Sequence, residues 1–328
     1  MPLSGSRRAA TCVRVLIATA LIGCGALPRN AHAEAPPAGP LVLHLAPSAR
    51  TAALAGAWVA GRDHDVIFYN PAQLVGARPG FDLSVTHQGP SSNTGSIAST
   101  YAAGKWSLTL GWGVHILDFH ADSHAAYPYT PDIVTASGRS NGFGTLITGG
   151  GAILIKGFRI GAAGKFASER VSGLPGSDGA ASVNQHAIMA DLGVARNVLG
   201  GVAAAAVQNL GGGASDEPAA DEPHIAIPRQ ILVGWSSTRP VGPLDLGVFT
   251  QVLRHDAWNS PSAGVEVGYS WIDGYTVALR AGVRRPDTDA QQPVSFGAGF
   301  TVDRFTIEYA AQLFDAGRAA HGVTVRWR

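Results

Sequence analysis

The sequence predicts an all-β fold: an antiparallel transmembrane β-barrel of about fourteen strands, preceded by a segment that does not alternate. Three observations carry this. From Phe81 to Arg328 the chain is a succession of roughly ten-residue stretches in which apolar residues alternate with small or polar ones, the period of a strand with two unlike faces. Short and long connectors take turns between them. The chain is 46% hydrophobic and only 14% charged, yet no stretch beyond the amino terminus reaches the ~18 consecutive apolar residues of a membrane helix. A closed sheet, apolar towards lipid and polar towards a lumen, reconciles all three.

Residues 1–33 read as a targeting segment. Arg7, Arg8 and Arg14 supply the positive start, residues 15–27 are apolar, and Ala31-His32-Ala33 fits cleavage after Ala33. Leu21-Ile22-Gly23-Cys24 also fits a lipoprotein box, which would instead leave a lipidated Cys24. Both cysteines, Cys12 and Cys24, precede Ala33, so the chain beyond it has no thiol for a disulfide, a nucleophile or a metal. Loss of Arg7, Arg8, Arg14 and Arg29 takes Lys+Arg from 24 to 20 against 23 Asp+Glu, a balance of −3. That removes the basic face a nucleic acid needs.

The expected strands are 81–88, 95–103, 105–117, 143–156, 158–170, 184–196, 200–209, 228–238, 244–254, 263–272, 275–284, 294–302, 305–314 and 321–328. An even number puts both ends on one side. Tight links are expected at Gly104, 156–157, 197–199, 239–243, 273–274 and 303–304; Asp273-Gly274 carries a hairpin signature. Long links are expected at 118–141, 171–183, 210–227, 255–262 and 285–293, the short set facing the periplasm and the long set the outside. Trp106, Leu108, Leu110, Trp112, Val114 and Ile116 form one lipid-facing row, and Val265, Val267, Tyr269 and Trp271 another. By the same parity Arg159, Lys165, Asp191, Asp245, Glu266, Arg280, Arg284, Glu308, Arg326 and Arg328 face the lumen. They read either as a selective path or latch, or as charges that pair across neighbouring strands and hold water, Arg326 with Glu308 first.

Residues 34–80 break the alternation. Ser48 is a fitting N-cap for the alanine-rich stretch up to Trp58. Asp63-His64-Asp65 follows, and then Asn70-Pro71-Ala72-Gln73-Leu74, where Asn70 and Pro71 suit the N-cap and first position of a short helical turn. This run resembles the amino-terminal signature of the FadL-type outer-membrane transporters and their PorV/PorQ relatives. Val207-Gln208-Asn209-Leu210-Gly211, Ile227-Pro228 and Leu279-Arg280-Ala281-Gly282 extend the likeness to the PorV-like branch, although the family's glycine-rich start is mostly alanine here, at 52–57. The resemblance implies a Gram-negative outer-membrane barrel at 81–328 with residues 34–80 folded back as a hatch, organised by Asp63, Asp65, Asn70, Pro71 and Ala72. It implies passive passage of small hydrophobic compounds or, in the PorV-like branch, a scaffold for secretion-system proteins with no transport of its own. The last strand, Gly322 to Arg328, resembles the signal read by the outer-membrane assembly machinery, with Trp327 one place early.

Other chemistry is thinly represented. Asp118, His120, Asp122 and His124, with His115 nearby, could hold a divalent cation, against the commoner reading of a polar loop. No cofactor is expected. No Gly-x-Ser-x-Gly elbow occurs, and His115 and His186 lack serine and carboxylate companions at strand spacing, so an enzyme is not expected. Gly142-Phe143-Gly144 and Gly149-Gly150-Gly151 imitate phosphate loops, but glycine in a barrel strand more often admits a close neighbour.

Overall fold

The computed structural model describes residues 40–88, 92–103, 108–122, 139–174, 181–211, 227, 229–255, 258–286, 291–314 and 317–328. Its strands are β1 (Gly80–His87), β2 (Ser92–Ala103), β3 (Leu108–Asp122), β4 (Arg139–Ile155), β5 (Phe158–Leu174), β6 (Ala181–Val198) and β7 (Gly201–Leu210). They continue as β8 (Gln230–Val241), β9 (Leu244–His255), β10 (Trp258–Ile272), β11 (Tyr275–Arg284), β12 (Gln291–Val302), β13 (Phe305–Phe314) and β14 (Ala319–Trp327). Each pairs antiparallel with its sequence neighbours, and β1 closes on β14 from Phe81↔Trp327 to His87↔His321. A closed ladder leaves no edge of unpaired backbone, which is what lets a sheet sit in hydrocarbon.

Alternation sorts the two faces. Leu83, Val85, Leu110, Trp112, Ile147, Ile188, Leu279 and Ile307 stand exposed on the outer surface, while their sequence neighbours are buried or half-buried. Aromatic rings gather near the short-turn end: Trp271 stacks on Phe300 at 6.1 Å and Phe81 on Trp327 at 6.2 Å, the interfacial placement that amphipathic rings favour.

The connectors differ from the sequence expectation in one systematic way. Where long loops were expected at 118–141 and 171–183, β3 continues to Asp122, β4 starts at Arg139, β5 runs to Leu174 and β6 starts at Ala181. The span expected as a loop at 255–262 is nearly all ladder as well, with β9 ending at His255 and β10 starting at Trp258. A membrane strand needs only about 9–11 residues, whereas β4 and β5 have 17 each and β6 has 18. Beyond the apolar band the ladder goes on satisfying its backbone, but the side chains no longer alternate in hydropathy, so pattern alone stops too early. The expected targeting segment at 1–33, with Cys24, and also Trp106 and His124 lie outside the described residues.

Residues 40–79 lie inside the ring. They contain one α-helix, α1 (Ala49–Ala53), and three short 3₁₀ turns at Leu41–Leu43, His64–Phe68 and Pro71–Gly76. The segment touches the wall all the way round. The turns meet β1 to β6, and side-chain bonds reach β7, β8, β9 and β10. Helix α1 meets β11 to β14. Only an interior segment can do that. Two wall glycines make room for it: a Cβ on Gly161 would collide with the Pro71–Ala72 backbone, and one on Gly193 with the Asn70 carboxamide oxygen. The interior is less polar than a lumen was expected to be. Leu117, Phe119, Leu146, Met189 and Phe314 point inward and pack with Leu41, Val42 and Leu45, because a segment resting against the wall needs an apolar core of its own.

Leu279 is 62% exposed at the centre of β11. Leu279→Arg is therefore expected to lower the folding stability of the barrel in lipid vesicles by about 2–4 kcal/mol, read from denaturant titration; an unchanged midpoint would contradict the assignment of the outer face.

Candidate functional site

The interior segment is first organised by its own residues. Ser48 caps α1, its hydroxyl accepting from the Thr51 amide at 3.2 Å. The buried Asp65 carboxylate then gathers three donors: the Ser48 hydroxyl at 2.5 Å, the Thr51 hydroxyl at 2.6 Å and the Trp58 indole N–H at 2.8 Å. These three donors are uncharged, and burial, with Asp82 and Asp63 nearby, pushes its pKa up to about 6 against the opposing pull of Arg326. Asn70 caps the turn that Pro71 begins: its Oδ1 accepts from the Ala72 amide at 3.0 Å while its Nδ2 donates to the Val59 and Ala205 carbonyls.

Asp63, two residues before Asp65, has the opposite surroundings. Burial would raise its pKa, but Arg326, Arg50 and Arg328 hold it well below the usual carboxylate range. Arg50 lies 2.7 Å away, Arg328 2.7 Å and Arg326 3.0 Å. From here a closed circuit of alternating charges can be traced. Asp63 pairs with Arg326, Arg326 with Glu308 at 3.1 Å, and Glu308 with Arg280 at 2.8 Å. Arg280 then pairs with Glu266, Glu266 with Arg50 at 2.6 Å, and Arg50 with Asp63. Asp82 adds a further contact to Arg326 at 2.6 Å. Two members of the circuit, Arg50 and Asp63, belong to the interior segment; the other four belong to β10, β11, β13 and β14. Apart from Arg50 and Glu266, the members are nearly sealed from solvent. An ion pair so enclosed adds little net stability as a whole, but removing one partner strands a buried charge at a cost of about 3–5 kcal/mol.

Further side chains outside the circuit tie the rest of the segment to the wall. Gln251 Oε1 accepts from the amides of Trp58 and Val59 at 3.1 and 2.8 Å, and Gln208 Nε2 donates to the carbonyls of Phe68 and Tyr69 at 2.8 and 2.9 Å. Thr324 accepts from the Ala49 amide at 2.7 Å, Ser236 donates to the Ala60 carbonyl at 2.8 Å, and Arg159 donates to Gln73 at 2.8 Å. At the other end Glu169 accepts from the Leu41 amide at 2.8 Å.

Of the sequence-derived candidates, Asp63, Glu266, Arg280, Glu308 and Arg326 fall in the circuit. Asp65, Asn70, Pro71 and Ala72 shape the segment, and Arg159 and Arg328 reach it from the wall. Lys165 and Asp191 form a separate buried pair at 2.7 Å; Asp191 also accepts from the Asn209 amide at 3.0 Å, where Asn209 takes a positive φ of 60° at a bulge between β6 and β7. Asp245 lies exposed at the short-turn rim and Arg284 half-buried near the opposite rim. His120 is on β3, bonded to Asn141 at 2.7 Å rather than free in a loop. Among the described residues no group of three or more His, Cys, Asp and Glu is placed to hold a metal. Sequence reading missed Arg50, Gln208, Gln251 and Thr324 as anchors. Strand parity already turned the last three inward, but nothing in the pattern said what they would meet.

The interior thus changes character along its length. The charged circuit lies at or on the short-turn side of the middle of its strands, and the apolar cluster of Leu117, Phe119, Leu146, Met189 and Phe314 on the long-connector side.

No protein-family model and no curated protein sequence matches this chain. Solved structures do. The Ralstonia pickettii toluene transporter TbuX superposes with a TM-score of 0.56 at 13% identity, covering 86% of this chain and 98% of that one. A Pseudomonas aeruginosa FadL homologue gives 0.54 at 13%, over 85% and 98%, and the P. putida toluene transporter TodX 0.54 at 12%, over 85% and 97%. Identities this low establish architecture alone: the chain has the closed fourteen-stranded barrel of the FadL-like fold.

Proposed function

We propose that the protein is an outer-membrane channel for passive passage of small hydrophobic compounds, with residues 40–79 as its hatch. The observation that carries this is the division of the interior. A water-filled pore would be polar throughout, whereas here the part nearer the long connectors holds an apolar cluster, Leu117, Phe119, Leu146, Met189 and Phe314, together with Leu41, Val42 and Leu45, with polar groups such as Glu169 and His115 beside it. An apolar solute that displaced these side chains would find the same surroundings they have. The half nearer the short turns is closed by the charge circuit. Each hydrogen bond described above between segment and wall has a side chain at one end at least, so the segment can loosen while the β-ladder stays whole. The toluene transporters that share the fold support a hydrophobic cargo.

Asp63→Asn keeps the shape of the side chain but removes the charge that three arginines share. It is expected to raise both single-channel conductance in planar bilayers and toluene entry into liposomes, by one hundredfold or more in the open population if about 3–5 kcal/mol of latch is lost. The barrel should keep its heat-modifiable migration on gels.

Asn70→Ala removes a cap worth about 1 kcal/mol and the two bonds from Nδ2. The expected change is in the same direction but smaller than for Asp63→Asn. Wild-type conductance and uptake in both variants would sink the hatch assignment. Absence of uptake in every variant, with a protein complex held through the outer connectors in native membranes, would favour the secretion-scaffold role of the PorV-like branch.

A further inference from the structure

Phe68 belongs to the interior segment. Gln208 of β7 holds its carbonyl at 2.8 Å, while its ring reaches over to β3 and lies on Gly113. An ideal Cβ on Gly113 would come within 2.5 Å of the ring's tip, so the missing side chain is what makes the seat. Two polar wall residues flank that seat. His115 is next but one along β3, on the same inward face, with its ring centroid 6.1 Å from that of Phe68. Thr148 on β4 is the direct partner of Gly113. Both are only 2% exposed. Ala98 of β2, the other partner of Gly113, and Leu146 of β4, the partner of His115, give the seat apolar surroundings.

Two polar atoms in this setting lack a partner. The His115 ring makes a hydrogen bond to the Val42 backbone, but its Nε2 is buried with no partner among the described residues. The bonded nitrogen is therefore Nδ1. In a neutral imidazole the nitrogen that donates leaves the other as an acceptor, so Nε2 offers a lone pair. Thr148 Oγ1 is likewise buried without a partner. A buried acceptor left unpaired is costly, and an apolar side chain of similar size would line the wall without that cost. The Phe68 ring cannot meet the need, having no N–H or O–H to give. A ring of the same size that carried a hydroxyl could.

We propose that this seat takes monoaromatic compounds bearing a hydroxyl, phenols and their substituted relatives, with the ring on Gly113 where Phe68 now lies and the hydroxyl donated to His115 Nε2. Phenol and toluene share one shape and differ by a hydroxyl against a methyl, so the unpaired nitrogen is what tells them apart. This names the cargo class of the proposed channel and rests on that reading for access, since Phe68 has to leave its seat. The chemistry of the seat does not rest on it, because removing the Phe68 ring bares the same walls in a closed barrel.

The test is calorimetric titration of the detergent-solubilised Phe68→Ala barrel with phenol and with toluene, repeated in Phe68→Ala/His115→Leu. An excised ring leaves an apolar cavity that admits a ligand of its own size. Both ligands enter micelles, but equally for every variant, so the ratio of their affinities is compared between variants. Saturable phenol binding is expected in Phe68→Ala, with a phenol-to-toluene affinity ratio at least about fivefold higher than in the double variant. Heat-modifiable migration checks that each variant is folded, and Phe68→Val, a smaller excision, carries the same comparison if the alanine variants do not fold. No saturable phenol binding in the folded barrel, or a ratio untouched by His115→Leu, would overturn the site. A ratio that depends on His115, together with uptake that ignores Asp63→Asn, would keep the site and remove the hatch.

Discussion

The pairing of β1 with β14 is the constraint from which the rest follows. Joining the first strand to the last satisfies every ladder in the ring and turns the apolar side chains outward to lipid. It also encloses a space too wide for the wall side chains of fourteen strands to fill. Something must occupy that space, either water or chain. Here it is chain, and the amino-terminal segment is shaped by that need: small residues at Ala49, Ala53 and Ala72 lie fully buried against the wall, and the wall answers with glycines at Gly161 and Gly193.

Filling the ring with a segment that contributes no strand creates an electrostatic question. The inward faces carry charges, and charges cut off from water must be paired. The circuit through Asp63, Arg326, Glu308, Arg280, Glu266 and Arg50 is the answer. It needs residues from both wall and segment to close. Asp63 and Asp65 show how finely position acts: two residues apart, one is surrounded by guanidinium groups and stays ionised, and the other is bonded by hydroxyl and indole donors and holds its proton more tightly. One fastens the segment to the barrel; the other fastens the segment to itself.

The barrel was legible in the sequence because lipid imposes a strict two-residue period on its outer face, as in Tyr275-Val277-Leu279 on β11 and Phe305-Ile307-Tyr309 on β13. The extensions of β3 to β6 were not, since in water that selection lapses while the backbone pairing continues. Parity turned Glu308 and Arg326 inward, but could not tell a pair from a six-residue circuit, because Arg50 and Asp63 come from a segment with no period to read. The same limit hid Gln208 and Gln251: their direction follows from the strand, their partners only from the folded segment. The apolar lining at Leu117 and Phe119 was masked by the expectation that a lumen is wet.

The central claim is that residues 40–79 must leave the apolar cluster of the interior for cargo to pass. An ideal Cβ on Gly144 lies 3.4 Å from Val42 Cβ, close to the ~3.8 Å of a disulfide, and the chain beyond Ala33 has no other cysteine. Toluene entry into liposomes bearing Val42→Cys/Gly144→Cys, measured oxidised and again after reduction, asks the question directly. The account predicts blocked entry while the bridge is closed and recovery when it is reduced; equal entry in both states would contradict it.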